Sequence, residues 1–115
     1  MNSQRQNKIN RMLQKELADI FLREGREITG QGMITVTGVR VSADLSVAKV
    51  YISLFATKDK EQLLDNIAMQ TRKIRNFLAQ RIRNQVKKIP ELQFFEDDSL
   101  DYIEKIDHLL NKDRK

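Results

Sequence analysis

The sequence predicts one α+β domain: three strands in a single sheet, helices stacked on one of its faces, and the element order α-β-β-α-α-β-α. Three observations carry this. Apolar residues recur at helical spacing in the opening segment, and again from about Asp59 to Lys88. Between those stretches, from Met33 to Phe55, the period drops to two, and Val, Ile and Thr are frequent. A chain of 115 residues is also the usual size of one domain, large enough for one core and too small for two.

The first element spans about Ser3 to Glu24. Ile9, Leu13, Leu17, Ile20 and Phe21 recur three and four apart, which stacks them on one helix face. Arg5, Lys8, Arg11 and Lys15 fall on a roughly opposite arc. Gly25 follows the last periodic residue, where a helix is expected to stop. Gly30-Gln31-Gly32 marks a loop.

The first strand runs from Met33 to Val41, and its alternation slips. Ile34 and Val36 share one phase, Val39 and Val41 the other, and Gly38 sits at the slip. A glycine where the phase changes by one residue suits a β-bulge. The short connection Ser42 to Ser46 implies an antiparallel partner. That second strand, Val47 to Phe55, buries Ala48, Val50, Ile52 and Leu54. Val47, Lys49, Tyr51, Ser53 and Phe55 are left on a partly solvated face.

From Asp59 to Lys88 there is neither Gly nor Pro, and Leu63, Leu64, Ile67, Ile74, Leu78, Ile82 and Val86 hold a stripe. One straight helix of this length would reach about 45 Å. A domain of this size has a radius on the order of 13 Å. A bend is therefore expected, at Gln70-Thr71-Arg72-Lys73, where the stripe weakens. Pro90 ends the second half. Glu91 to Phe95 reads as a third strand, and Asp97-Asp98-Ser99 offers caps for a last helix carrying Leu100, Ile103, Ile106 and Leu110. Residues 1–111 then make the domain, and 112–115 fray.

Composition narrows the function. The formal net charge is +5 and the pI is near 9.6. This excess favours a polyanionic partner, nucleic acid first. Cysteine is absent, which excludes disulfides, thiolate metal sites and a cysteine nucleophile. One histidine, His108, cannot build a multi-histidine site. No apolar run follows the N-terminus and no stretch approaches the roughly 20 residues needed to span a bilayer, so a soluble cytoplasmic protein is expected.

The densest chemical signal lies between Arg72 and Lys88. Arg72, Lys73, Arg75, Arg81, Arg83, Lys87 and Lys88 occur there with no acid among them. Like charges on one helix cost about a few tenths of a kcal/mol per close pair. An external anion would compensate, and a phosphate backbone is the natural one. The plainer alternative is a solvated face that keeps the protein soluble. Gly30 and Gly32 are too weak a pattern for a phosphate loop, and no two glycines have the Gly-x-x-Gly spacing of a standard KH domain. Glu96-Asp97-Asp98 could hold a hard cation, but capping and dipole compensation explain it more simply. Tyr51 and Phe55 could stack on bases or lie under another protein surface. There is no nucleophile–base pair and no metal ligand set, so an enzyme is not expected.

Two blocks go beyond these generic features. Met33-Ile34-Thr35-Val36-Thr37-Gly38-Val39-Arg40-Val41-Ser42-Ala43-Asp44-Leu45-Ser46-Val47-Ala48-Lys49-Val50-Tyr51 resembles the central strands of the ribosome-binding factor A family. Pro90-Glu91-Leu92-Gln93-Phe94-Phe95-Glu96-Asp97-Asp98-Ser99 resembles that family's last strand and its exit, and the basic opening from Arg5 to Leu17 is similar too. The resemblance implies a type II KH-like domain. It implies a non-catalytic bacterial factor that binds free 30S subunits during late maturation, at the 5′ end of 16S rRNA near its first helix. It also implies a link to 16S processing and to growth in the cold. The family places an Ala-x-Gly kink between the two central helices; Gln70-Thr71-Arg72 stands there in this chain.

The leading expectation is thus an RNA-binding assembly factor. Its phosphate contacts would come from Arg5, Lys8, Arg11 and Lys15 on the first helix, and from Arg72, Lys73, Arg75, Arg81, Arg83, Lys87 and Lys88. No cofactor, metal, membrane or small-molecule substrate is expected, and nothing requires more than a monomer. The alternative is a protein-interaction module that binds through the open sheet face or a sheet edge.

Overall fold

The computed structural model describes residues 3–29, 33–55 and 59–97. Its elements are α1 (Gln4–Thr29), β1 (Met33–Val41), β2 (Val47–Phe55), α2 (Lys60–Met69), α3 (Thr71–Ile82) and β3 (Glu91–Glu96). The glycine loop at 30–32, the caps Asp98 and Ser99, the final helix with His108, and the tail lie outside the described residues.

The sheet has the order β1-β2-β3. β1 pairs antiparallel with β2, and β3 runs parallel to β2 on its other side. The phase slip at Gly38 is a bulge: Val36 faces Ile52 and Gly38 faces Tyr51, which leaves Thr37 as the extra residue. Because of it, Val36, Val39 and Val41 all point into the core despite their mixed phases. Gln14 donates to the Val36 carbonyl beside the bulge. The β1–β2 connection closes through the Ser42 amide to the Val47 carbonyl, 2.9 Å. Leu45 in that turn takes a φ of 62°, a left-handed conformation that favours glycine.

The core lies between one face of the sheet and the helices. Ala48, Val50, Ile52 and Leu54 of β2 are buried there with Leu13, Leu17 and Ile20 of α1, Leu63 and Ile67 of α2, and Ile74, Leu78 and Ile82 of α3. Phe21 of α1 meets Phe94 of β3 edge-on, with ring centres 6.1 Å apart. The N-terminus of α1 is closed reciprocally: the Gln6 amide donates to Ser3 Oγ and the Ser3 amide to Gln6 Oε1. Asn10, almost fully buried, accepts from the Val41 amide at 2.8 Å and pins α1 to the end of β1.

The long apolar stripe breaks as expected, at Gln70, which separates α2 from α3. No glycine is needed. The Gln70 amide still donates to the Asn66 and Ile67 carbonyls, and Thr71 Oγ1 turns back to the carbonyls of Ile67 and Ala68.

Four local expectations are corrected. First, α1 does not stop at Gly25 but continues to Thr29. A mid-helix glycine costs roughly 1 kcal/mol relative to alanine, and burial of Ile28 one turn later offsets it. Second, α3 ends at Ile82, not at Lys88. Arg75 draws the chain back by donating to the carbonyls of Ile89 at 2.7 Å and Pro90 at 3.1 Å. That return sets the Glu91 amide against Ser46 and starts β3. Third, β3 extends one residue beyond Phe95, to Glu96. Fourth, Ser53 is not solvated: it is fully buried, and its hydroxyl has no hydrogen-bond partner among the described residues.

Candidate nucleic-acid interface

The eleven cations read from the sequence divide into three groups in the structure. Arg5, Lys8, Arg11 and Lys15 are exposed on α1, on the arc opposite the buried Leu13, Leu17 and Ile20. None makes an ion pair among the described residues, and the same holds for the exposed Arg72, Arg83, Lys87 and Lys88.

Arg75 and Arg81 are engaged within the fold. Arg75 holds the Ile89 and Pro90 carbonyls as described. Arg81 Nη1 lies 2.6 Å from Asp19 Oδ2 and 3.4 Å from Glu16 Oε2 on α1. The hydrogen bond from Arg81 holds the Asp19 carboxyl below its ordinary range, against the opposing effect of desolvation, and Arg23 at 3.0 Å adds to it. Asp19 in turn raises the Arg81 guanidinium. Lys73 is intermediate: its Nζ lies 3.5 Å from Glu27 Oε2, but both groups are largely in water, where such pairs contribute little. The acid-free run from Arg72 to Lys88 is therefore partly compensated from α1, which its own sequence does not reveal.

These pairs also fix how the helices run. Lys73 meets Glu27 and, two turns later in α3, Arg81 meets Asp19 and Glu16. The helices are antiparallel, so the chain leaving α3 arrives beside the start of α1. Lys87 and Lys88, no longer on a helix, there line a groove of about 710 Å³ together with Arg5 and Lys8. Ile9 and Met12 of α1, Leu45 of the β1–β2 turn and Val86 form its apolar lining. Sequence periodicity could assign these four to a core but not to a groove.

Asp44 stands at the groove's edge. Its Oδ1 accepts from the hydroxyls of Ser42 and Ser46, each at 2.7 Å, and from the Ser46 amide at 3.1 Å. These bonds, Ser42 first, pull its pKa from 3.8 to about 2. A folded pKa below the unfolded one stabilises the fold above the unfolded value, and that contribution is lost as pH falls through the folded value. Between about pH 4 and pH 2, wild-type stability should therefore decline more steeply than that of Asp44→Asn. Thermal melts across that window check this, and identical slopes would refute it.

On the sheet face away from the core, Tyr51 stacks on Phe95 with ring centres 5.7 Å apart. Phe95 is 41% exposed. The sequence points to Tyr51 but not to this neighbour, since the pairing depends on the β2–β3 register. The side chain of Phe55 lies outside the described residues. Among the described residues no cluster of three or more His, Asp or Glu could hold a metal, and no helix is long and apolar enough to cross a membrane.

The chain is 46% identical over 112 residues to ribosome-binding factor A of Cytophaga hutchinsonii, covering 97% of this chain and 84% of the relative. It is 45% identical over 111 residues to that of Flavobacterium johnsoniae, covering 96% and 85%. The crystal structure of ribosome-binding factor A from Thermus thermophilus superposes with a TM-score of 0.67 at 25% identity, covering 79% of this chain and 94% of that one. A homology model of the Thermus thermophilus factor, fitted into a cryo-electron microscopy map of its 30S complex, gives 0.62 at 27% identity, covering 76% and 90%. The α+β fold is the KH-like one expected. The family profile of ribosome-binding factor A matches residues 5–110, and with these relatives it shows that the chain belongs to the ribosome-binding factor A family.

Proposed function

We propose that this chain binds the free 30S subunit through 16S rRNA, beside its 5′-terminal helix, and assists late subunit maturation and 16S processing without catalysing a reaction. The observation that carries this reading is the set of exposed cations without an ion pair among the described residues: Arg5, Lys8, Arg11, Lys15, Arg72, Arg83, Lys87 and Lys88. Lys73 can join them by releasing Glu27. Arg75 and Arg81 hold the fold and are left out of the phosphate set. The Thermus thermophilus relative fitted into a 30S complex supplies the subunit. The protein acts as a cytoplasmic monomer and uses no cofactor.

An assembly factor of this kind holds one rRNA conformation over another, since equal affinity for both would shift nothing. Sedimentation with separated 30S, 50S and 70S particles across a salt series tests the reading. Selective binding to 30S is expected. With about five phosphates neutralised, log affinity should fall against log salt with a slope of roughly −3 to −5. Binding that ignores salt, or that does not distinguish immature from mature subunits, would overturn it.

A further inference from the structure

The antiparallel packing of α1 and α3 builds a groove at the end of α3 remote from the Gln70 break. That separation is roughly 18 Å along a helix of this length. Two separate segments bring cations to its lining: Arg5 and Lys8 on α1, and Lys87 and Lys88 after α3. Ile9, Met12, Leu45 and Val86 line the same groove. Each is half-buried, packed on the core from below and open to the groove above.

We propose that this groove is a binding site for single-stranded RNA, with a nucleobase seated against the aliphatic lining and neighbouring phosphates held by the four cations. Charge and shape together select this occupant. Four cations face one carboxylate, and the Oδ1 of that carboxylate, on Asp44, is already taken up by Ser42 and Ser46. Cations beside an apolar lining suit a single strand, whose phosphates follow one another along the backbone while its bases project to the side. A duplex would present phosphates without an accessible base face. A volume of about 710 Å³ suits one or two nucleotides. Gln85 at the rim carries both a donor and an acceptor, as a base edge requires. An acidic amphipathic peptide would also satisfy the charge. RNA is favoured because the site rests on the ribosomal reading above, and because four cations and a single, already hydrogen-bonded carboxylate line it.

The test uses the full chain, a fluorescein-labelled single-stranded RNA hexamer, and methyl NMR of Ile9, Leu45 and Val86. The hexamer is expected to shift these methyl signals. The double variant Lys87→Gln/Lys88→Gln, both residues exposed, should weaken hexamer binding roughly ten-fold at about 0.15 M salt. Arg26→Gln/Lys49→Gln, two exposed cations outside both the groove and the phosphate set, should change it less than about three-fold. Unmoved methyl signals, or equal weakening by both double variants, would overturn the assignment. So would methyl shifts produced by an acidic amphipathic peptide and not by the hexamer. Wild-type sedimentation with 30S separates this failure from that of the subunit reading. Subunit binding without methyl shifts discards the groove alone. Methyl shifts without subunit binding keep the groove and discard the 30S assignment.

Discussion

Changing Arg11, Lys15, Arg72 and Arg83 together to Glu is expected to weaken 30S binding by at least about 100-fold near physiological salt, and to flatten the salt slope by about two units. These four are exposed and make no ion pair among the described residues, so their reversal removes no salt bridge there. Two or three of them reaching phosphate accounts for the slope, and repulsion from the new carboxylates accounts for the rest of the loss. Lys73, Arg75 and Arg81 are unsuitable for this test. Reversing Arg81 would set a carboxylate against Asp19 and Glu16, and reversing Arg75 would release the turn before β3. The readout is pelleting with 30S across a salt series, alongside a urea melt of the variant. A variant with a normal melt and unchanged affinity would remove the electrostatic account.

Two leucines on one helix should respond oppositely to the same change. Leu17 is fully buried in the core and Leu22 is 83% exposed. Leu17→Ala should cost about 2–5 kcal/mol, from lost transfer energy and the cavity left behind. That is a large share of the roughly 5–15 kcal/mol typical of a domain, and it should lower the melting temperature on the order of 10 °C or more. Leu22→Ala should stay within about 0.5 kcal/mol. Urea melts check both, with the slope preserved so that the midpoint reports stability. Equal effects would mean that the helix register is wrong.

That register is legible in the sequence. Helical and strand periods are local properties, so Leu13, Leu17, Ile20 and Ile74, Leu78, Ile82 declare their faces, as do the alternating residues of β2. The bulge shows as a phase slip at Gly38, and the break at Gln70 as a weakened stripe. Helix ends are less legible, because local preference there competes with distant packing. Gly25 reads as a stop, yet burial of Ile28 carries α1 past it. Val86 keeps the stripe's spacing, yet it packs from a turn after α3 has ended.

For the candidate site, the sequence by itself determined the family, the order of the six described elements, the excess of positive charge and the eleven cations that could carry it. The tertiary structure decided which of those cations remain available. The Arg81 partners lie 62 and 65 residues away along the chain, and Arg75 reaches carbonyls 14 and 15 residues on. No periodicity records such meetings, because they depend on how α1 and α3 cross the sheet. The same packing brings Arg5 and Lys8 to one groove with Lys87 and Lys88. A residue's charge is a property of its type; whether that charge is neutralised depends on neighbours within a few ångströms, and the fold supplies those from distant parts of the chain.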